Sequence, residues 1–65
     1  MTARQPTVGE LVQVIAPHPE AGARGKVVQV FHANAQMRTR ARVRFIPPYG
    51  DGSEVIAIDM LVAIR

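Results

Sequence analysis

Arginine recurs at every second position in one short segment of the chain. The alternating residues are Arg38, Arg40, Arg42 and Arg44. Alternate residues of a β-strand share one face and lie about 6.6–6.8 Å apart, close to the separation of successive phosphates along a nucleic-acid strand. Each planar guanidinium can donate two parallel hydrogen bonds to a phosphate. The spacing predicts a cationic strand face that binds nucleic acid, and a merely solvated outer face is the alternative.

Two further residues complete this candidate site. Lys26 opens another apolar run and adds a cation, and Tyr49 lies in a Pro/Gly-rich loop where its ring could stack on a base. Folding back over the edge of the domain is the alternative for a tyrosine of this kind. The net charge of +3 agrees with an anionic partner, whether nucleic acid, membrane surface or acidic protein.

Residues for catalysis or metal binding are sparse. The chain has no cysteine and two histidines, which is too few for the usual four-ligand zinc site. The five acidic residues are dispersed, and no nucleophile, base and orienting residue can be assembled from the sequence. We therefore predict that the protein is not an enzyme and needs no cofactor or metal.

The elements that must position the arginines are short apolar runs separated by glycine and proline. Short apolar runs divided in this way are typical of a small antiparallel barrel. We predict one 65-residue all-β domain with five strands, a one-turn helix capped by Asp59 before the last strand, and positive φ at Gly22 and Gly25. The predicted strands are 11–16, 26–32, 38–46, 54–58 and 62–64.

A helix over residues 34–42 competes with the third strand. Alanine, glutamine, methionine and arginine all favour helix. A helix would scatter the arginines around its circumference, whereas a strand alternates them with apolar residues. We therefore favour the strand.

The alternation also predicts the core, although two adjacent valines leave the register of the second strand open. The predicted core residues are Val12, Val14, Val28, Val30, Val43, Phe45, Ile58, Leu61 and Ile64.

Several strands are apolar on both alternating faces. The predicted outward residues are Leu11, Ile15, Val27, Phe31, Val55 and Ala57. A small barrel has one interior, so a second apolar face predicts burial against another copy of the chain. The alternative is that the loop 17–24 folds over these residues within one chain.

This arrangement resembles the SH3-like barrel, which has five short strands and a one-turn helix before the last. The first half of the chain contains two related segments, Gly9-Glu10-Leu11-Val12-Gln13-Val14 and Gly25-Lys26-Val27-Val28-Gln29-Val30. In these segments it resembles the KOW motif of ribosomal and transcription-elongation proteins, and the resemblance implies RNA binding. Where that motif has a glycine and a basic residue early in the loop, this chain has Pro17-His18-Pro19.

The whole chain is similar in layout to plasmid type II dihydrofolate reductases, which are SH3-like barrels assembled as tetramers. The similarity is in the apolar spacing of residues 55–61. Ile56 and Ile58 stand where that family has polar glutamine and tyrosine. The resemblance therefore implies a layout and no reductase activity.

The leading hypothesis is a small nucleic-acid-binding module. The alternatives are a homo-oligomeric or protein-interaction module and, more weakly, small-molecule binding in the pore of an oligomer. Residues 1–7 lack the apolar core of a signal peptide, and no apolar stretch is long enough for a membrane span, so a soluble, cytoplasmic protein is expected.

Overall fold

The computed structural model describes residues 5–50 and 52–64, which form an all-β domain. Five antiparallel strands lie in one sheet, and a single 3₁₀ turn precedes the last strand, as the sequence predicts. The elements are β1 (Leu11–Val14), β2 (Arg24–Phe31), β3 (Arg40–Phe45), β4 (Ser53–Ala57), the 3₁₀ turn Ile58–Met60 and β5 (Leu61–Ala63).

The sheet is ordered β4-β3-β2-β1-β5. The eight-residue strand β2 is the longest, and it pairs with β1 on one side and β3 on the other. Its β-branched residues suit a strand that is covered on one face. The strand β5 returns beside β1, so the first and last strands are paired.

One cluster of aliphatic side chains fills the interior. Its members are Val12, Val14, Val27, Ala41, Val43, Ile56 and Leu61, and Val30, Phe45, Ile58 and Met60 pack against it half-buried. Ile56 was missed from the predicted core, which named Ile58 instead. Ile64 is half-buried and lies outside this cluster.

The prediction that Val28 faces the core is wrong, and so is the prediction that Val27 faces outward. Val27 is 1% exposed and Val28 is 42% exposed. The register explains the exchange, because Val27 pairs with Val43 while Gln29 pairs with the next residue, Arg42. Val28 is thus the extra residue of a β-bulge, which shifts the alternation by one position.

A tight turn precedes β3 and excludes the alternative helix. The Asn34 side-chain Oδ1 accepts hydrogen bonds from the backbone N–H groups of Gln36, at 2.8 Å, and Met37, at 2.9 Å. The same bonds could cap a helix, but the backbone that follows is not helical: residues 35–39 form a bend and irregular chain, and the Asn34 N–H donates to the Met37 carbonyl oxygen at 2.9 Å. The strand then begins at Arg40, two residues later than predicted.

The 3₁₀ turn has no side-chain cap, so the predicted capping role of Asp59 is wrong. Its carboxylate accepts a hydrogen bond from the Arg38 guanidinium at 3.2 Å instead. This ion pair links the turn to the segment that leads into β3.

Two glycines serve different purposes. Gly22 has a φ of +98°, as predicted for its loop, whereas Gly25 lies in β2 outside the positive-φ region. A Cβ on Gly25 would stand 2.6 Å from both the Arg44 carbonyl oxygen and the Val43 Cγ1. Glycine is therefore needed at position 25 because β2 and β3 approach each other closely there.

Replacing this glycine tests the close approach. We expect Gly25→Ala to lower the free energy of unfolding by about 1–3 kcal/mol, because the methyl group overlaps backbone that cannot move aside freely. Gly52→Ala is the matched control, since a Cβ there meets nothing within 4 Å. Urea denaturation measures both variants, and equal stability of the two would contradict the tight β2–β3 contact.

Candidate nucleic-acid interface

The strand β3 carries three arginines on one face of the sheet. Arg40, Arg42 and Arg44 alternate with the fully buried Ala41 and Val43. Because neighbours on a strand point to opposite faces, the three guanidinium groups extend from the outer face. We call Arg40, Arg42 and Arg44 the arginine row.

The neighbouring strands place one further cation and several apolar residues beside this row. Residues paired across the sheet form three lines, each with an arginine at its centre. These lines are Lys26–Arg44–Ser53, Gln29–Arg42–Val55 and Phe31–Arg40–Ala57. The outer face is therefore cationic along β3, whereas β2 and β4 present a mixture of charged, polar and apolar side chains beside it.

Phe31 supports two guanidinium groups of the row. The ring centroid lies 5.4 Å from the Arg40 Cζ and 5.8 Å from the Arg42 Cζ. Both distances suit attraction between a cation and the negative face of an aromatic ring. The bulge at Val28 sets this register, in which Phe31 lies opposite Arg40.

The row is not neutralised by the described part of the chain. Within residues 5–50 and 52–64, no carboxylate lies within ion-pair distance of Lys26 or of the arginine row. Lys26 and Arg44 moreover pair directly across β2 and β3. Like charges in such a pair repel each other, so this pair lowers the stability of the free protein. The same charges give the face a positive potential.

Arg38 lies outside the row, although the sequence predicted four arginines on one face. It precedes β3, and its guanidinium is bound to Asp59. Its carbonyl oxygen accepts a hydrogen bond from the Arg40 Nε at 3.2 Å, so its backbone helps to position the first arginine of the row.

Tyr49 lies in the loop that follows β3. Its backbone N–H donates to the Ile46 carbonyl oxygen at 2.9 Å, and its side chain is exposed. The ring is accessible, and it lies beyond the end of β3 at which Arg44 stands.

A shallow apolar pocket adjoins the same end of the row. It has a volume of about 330 Å³ and is lined by Lys26, Val28, Arg44, Phe45, Ile46 and Pro47. Sequence reasoning missed this pocket because it placed Val28 in the core. The signal in the sequence is the run Val27-Val28-Gln29-Val30, whose three valines do not fit strict alternation.

The residues predicted to form an oligomer interface do not lie together. Leu11, Phe31 and Val55 pair with Lys26, Arg40 and Arg42 respectively, so they flank the cations. Ile15 lines a separate groove, with Ile58, Leu61 and Val62 among its neighbours, and Val27 is in the core.

The part of the chain that the structure describes contains no group of three histidine or acidic side chains arranged to hold a metal ion. None of its helical segments is long and apolar enough to cross a membrane.

Comparison with protein-family models, curated protein sequences and solved structures finds no match to this chain. The five antiparallel strands and the helical turn before the last strand follow the prediction, while membership in the SH3-like or KOW-like families stays a prediction. Function is therefore argued from the residues of the outer face.

The repulsion between Lys26 and Arg44 leads to a prediction about the free protein. We expect Arg44→Glu to raise the free energy of unfolding by about 0.2–1 kcal/mol at low salt, because it converts a like-charge pair into an attractive one. The gain should shrink in high salt, where exposed charges are screened.

Arg38→Glu is the control with the same change of charge, and it should destabilise the protein slightly by opposing Asp59. Thermal unfolding at two salt concentrations makes the comparison. A loss of stability in Arg44→Glu at low salt would show that Arg44 is already compensated in the free protein.

Proposed function

We propose that this protein binds the phosphate backbone of nucleic acid on the outer face of β2, β3 and β4. The observation that carries the proposal is the arginine row itself, with Lys26 beside it and no described carboxylate within ion-pair distance. The row is linear and spans about 13 Å from its first to its last residue. This length and spacing suit a chain of phosphates better than a single anion.

Contacts in the free protein already restrict two arginines of the row, which reduces the side-chain entropy lost on binding. Arginine loses considerable rotamer freedom when it is fixed on a ligand. The Phe31 ring attracts Arg40 and Arg42 on this face, and the Arg40 Nε is held by the Arg38 carbonyl oxygen. These contacts reduce the freedom that a bound phosphate must still remove.

The same charges disfavour self-association through this face. In a two-fold dimer each surface meets its own copy, so the arginine row of one chain would face that of its partner. The apolar residues beside the row, such as Phe31 and Val55, would then be buried only by bringing like charges together. An anionic partner covers the same residues without this penalty.

The salt dependence of binding tests the proposal. Each phosphate contact releases counterions, so the slope of log affinity against log salt reports the number of contacts. We expect the double variant Arg42→Gln/Arg44→Gln to weaken binding to every sequence and to flatten this slope by about 1 to 2 units. Fluorescence anisotropy with labelled oligonucleotides measures both quantities.

Arg38→Gln is the matched control, because it removes one positive charge outside the row. It should change the slope less than Arg42→Gln does. Equal effects of Arg38→Gln and Arg42→Gln would mean that net charge, rather than the row, attracts the ligand. No binding by the unaltered protein at low salt would refute the proposal.

Self-association remains a second candidate function, supported by exposed apolar side chains on the β1–β5 side of the sheet, where Leu11 borders the cation Lys26. Leu11 and Val62 are 46% and 44% exposed on the adjacent strands β1 and β5. Burying such side chains against a second copy would be favourable. This surface lies on the β1–β5 side of the sheet, away from β3 and β4.

Sedimentation at micromolar concentration tests the second candidate. A dimer formed through this surface should dissociate in Val62→Asp and persist in Val8→Asp, a control at another exposed valine. A single-chain mass of the unaltered protein that persists as concentration rises would exclude this function.

A further inference from the structure

The pocket beside the arginine row combines two kinds of surface. Val28, Ile46 and Pro47 contribute apolar walls, together with the half-buried ring of Phe45. Lys26 and Arg44 also line it, and they belong to the cationic face. A matching ligand has an apolar portion joined to an anionic group.

We propose that this pocket takes one unpaired base of a single-stranded nucleic acid whose phosphates lie on the arginine row. The inference rests on the proposed function and specifies its substrate class. A base provides the flat apolar portion, and its own or a neighbouring phosphate provides the anion for Lys26 and Arg44. The pocket volume of about 330 Å³ lies at the low end of the range for small-ligand sites.

A single strand suits this pocket better than a duplex does. Bases in a duplex are paired and stacked, so their flat faces are covered, and extracting one costs unstacking energy. In a single strand, a base can turn toward the protein while the backbone follows the cations. Val28 and Ile46, which are 42% and 37% exposed, then become covered by the base.

Four ligands distinguish the base from the phosphates. They are an oligothymidine strand of about ten nucleotides, an abasic strand of the same length, a duplex of that length and free thymidine monophosphate. At low salt we expect the oligothymidine strand to bind about fivefold or more tightly than the abasic strand. It should also bind more tightly than the duplex, and the monophosphate should not displace it at comparable concentration.

Ile46→Ala tests the pocket within the protein. This variant should weaken binding of the oligothymidine strand on the order of threefold to tenfold and leave the abasic strand unaffected. The unaffected abasic affinity also shows that the variant is folded. Val8→Ala is the matched control, because Val8 is an exposed aliphatic residue, 62% accessible, that lies outside β2, β3 and β4 and does not line the pocket.

The outcomes separate the two proposals. Equal affinity for the oligothymidine and abasic strands, or tighter binding of the duplex, would refute the base pocket while leaving phosphate binding intact. Displacement by thymidine monophosphate at comparable concentration would indicate a small-molecule site instead. Failure of every oligonucleotide to bind at low salt would refute both proposals.

Discussion

Between Val27 and Gln29, β2 contains one more residue than β3 can pair with. The resulting bulge at Val28 is the constraint on which the rest of the domain depends. It lets Val27 enter the core and Val30 pack against it, although three positions separate them. It also sets the register in which Phe31 lies opposite Arg40 and turns Val28 outward into the pocket. Without the extra residue, the second half of β2 would present its opposite face to the interior.

The outer face shows how the free protein and its proposed complex differ energetically. Lys26 and Arg44 lie opposite each other with no described carboxylate within ion-pair distance, an arrangement that opposes folding. The chain is short, without disulfides, and about 60% of its unfolded surface is expected to be buried, so repulsion of this kind matters to its stability. A bound phosphate would relieve the repulsion. The proposed ligand is therefore expected to stabilise the fold as well as occupy the site.

Much of the fold was predictable from local patterns. Glycine and proline marked the loops, and alternation around Val43 identified β3 and the outward direction of its arginines. The prediction failed where a tertiary feature overrode the pattern. Nothing in strict alternation places Val27 inside and Val28 outside, because a bulge is fixed by pairing with β3.

The wrong predictions for Arg38 and Gly25 have similar physical causes. Arg38 continues the sequence period but lies before the strand, where Asp59 offers its guanidinium an ion pair. Gly25 was expected to adopt positive φ, whereas the need for glycine comes from the close passage of β3. Both features depend on residues distant in sequence, so neither can be derived from spacing along the chain. The predicted cationic face was correct for the three arginines that β3 itself contains.

Nuclear magnetic resonance titration with a short oligothymidine strand tests the central claim most directly. We expect the Nε–Hε signals of Arg40, Arg42 and Arg44 to shift together as the strand is added. The methyl signals of Val28 and Ile46 should shift with them, while the Arg38 signal and the methyl signals of Val62 change little. Shifts concentrated on β1 and β5, or no shifts in the arginine row at saturating oligonucleotide, would contradict it.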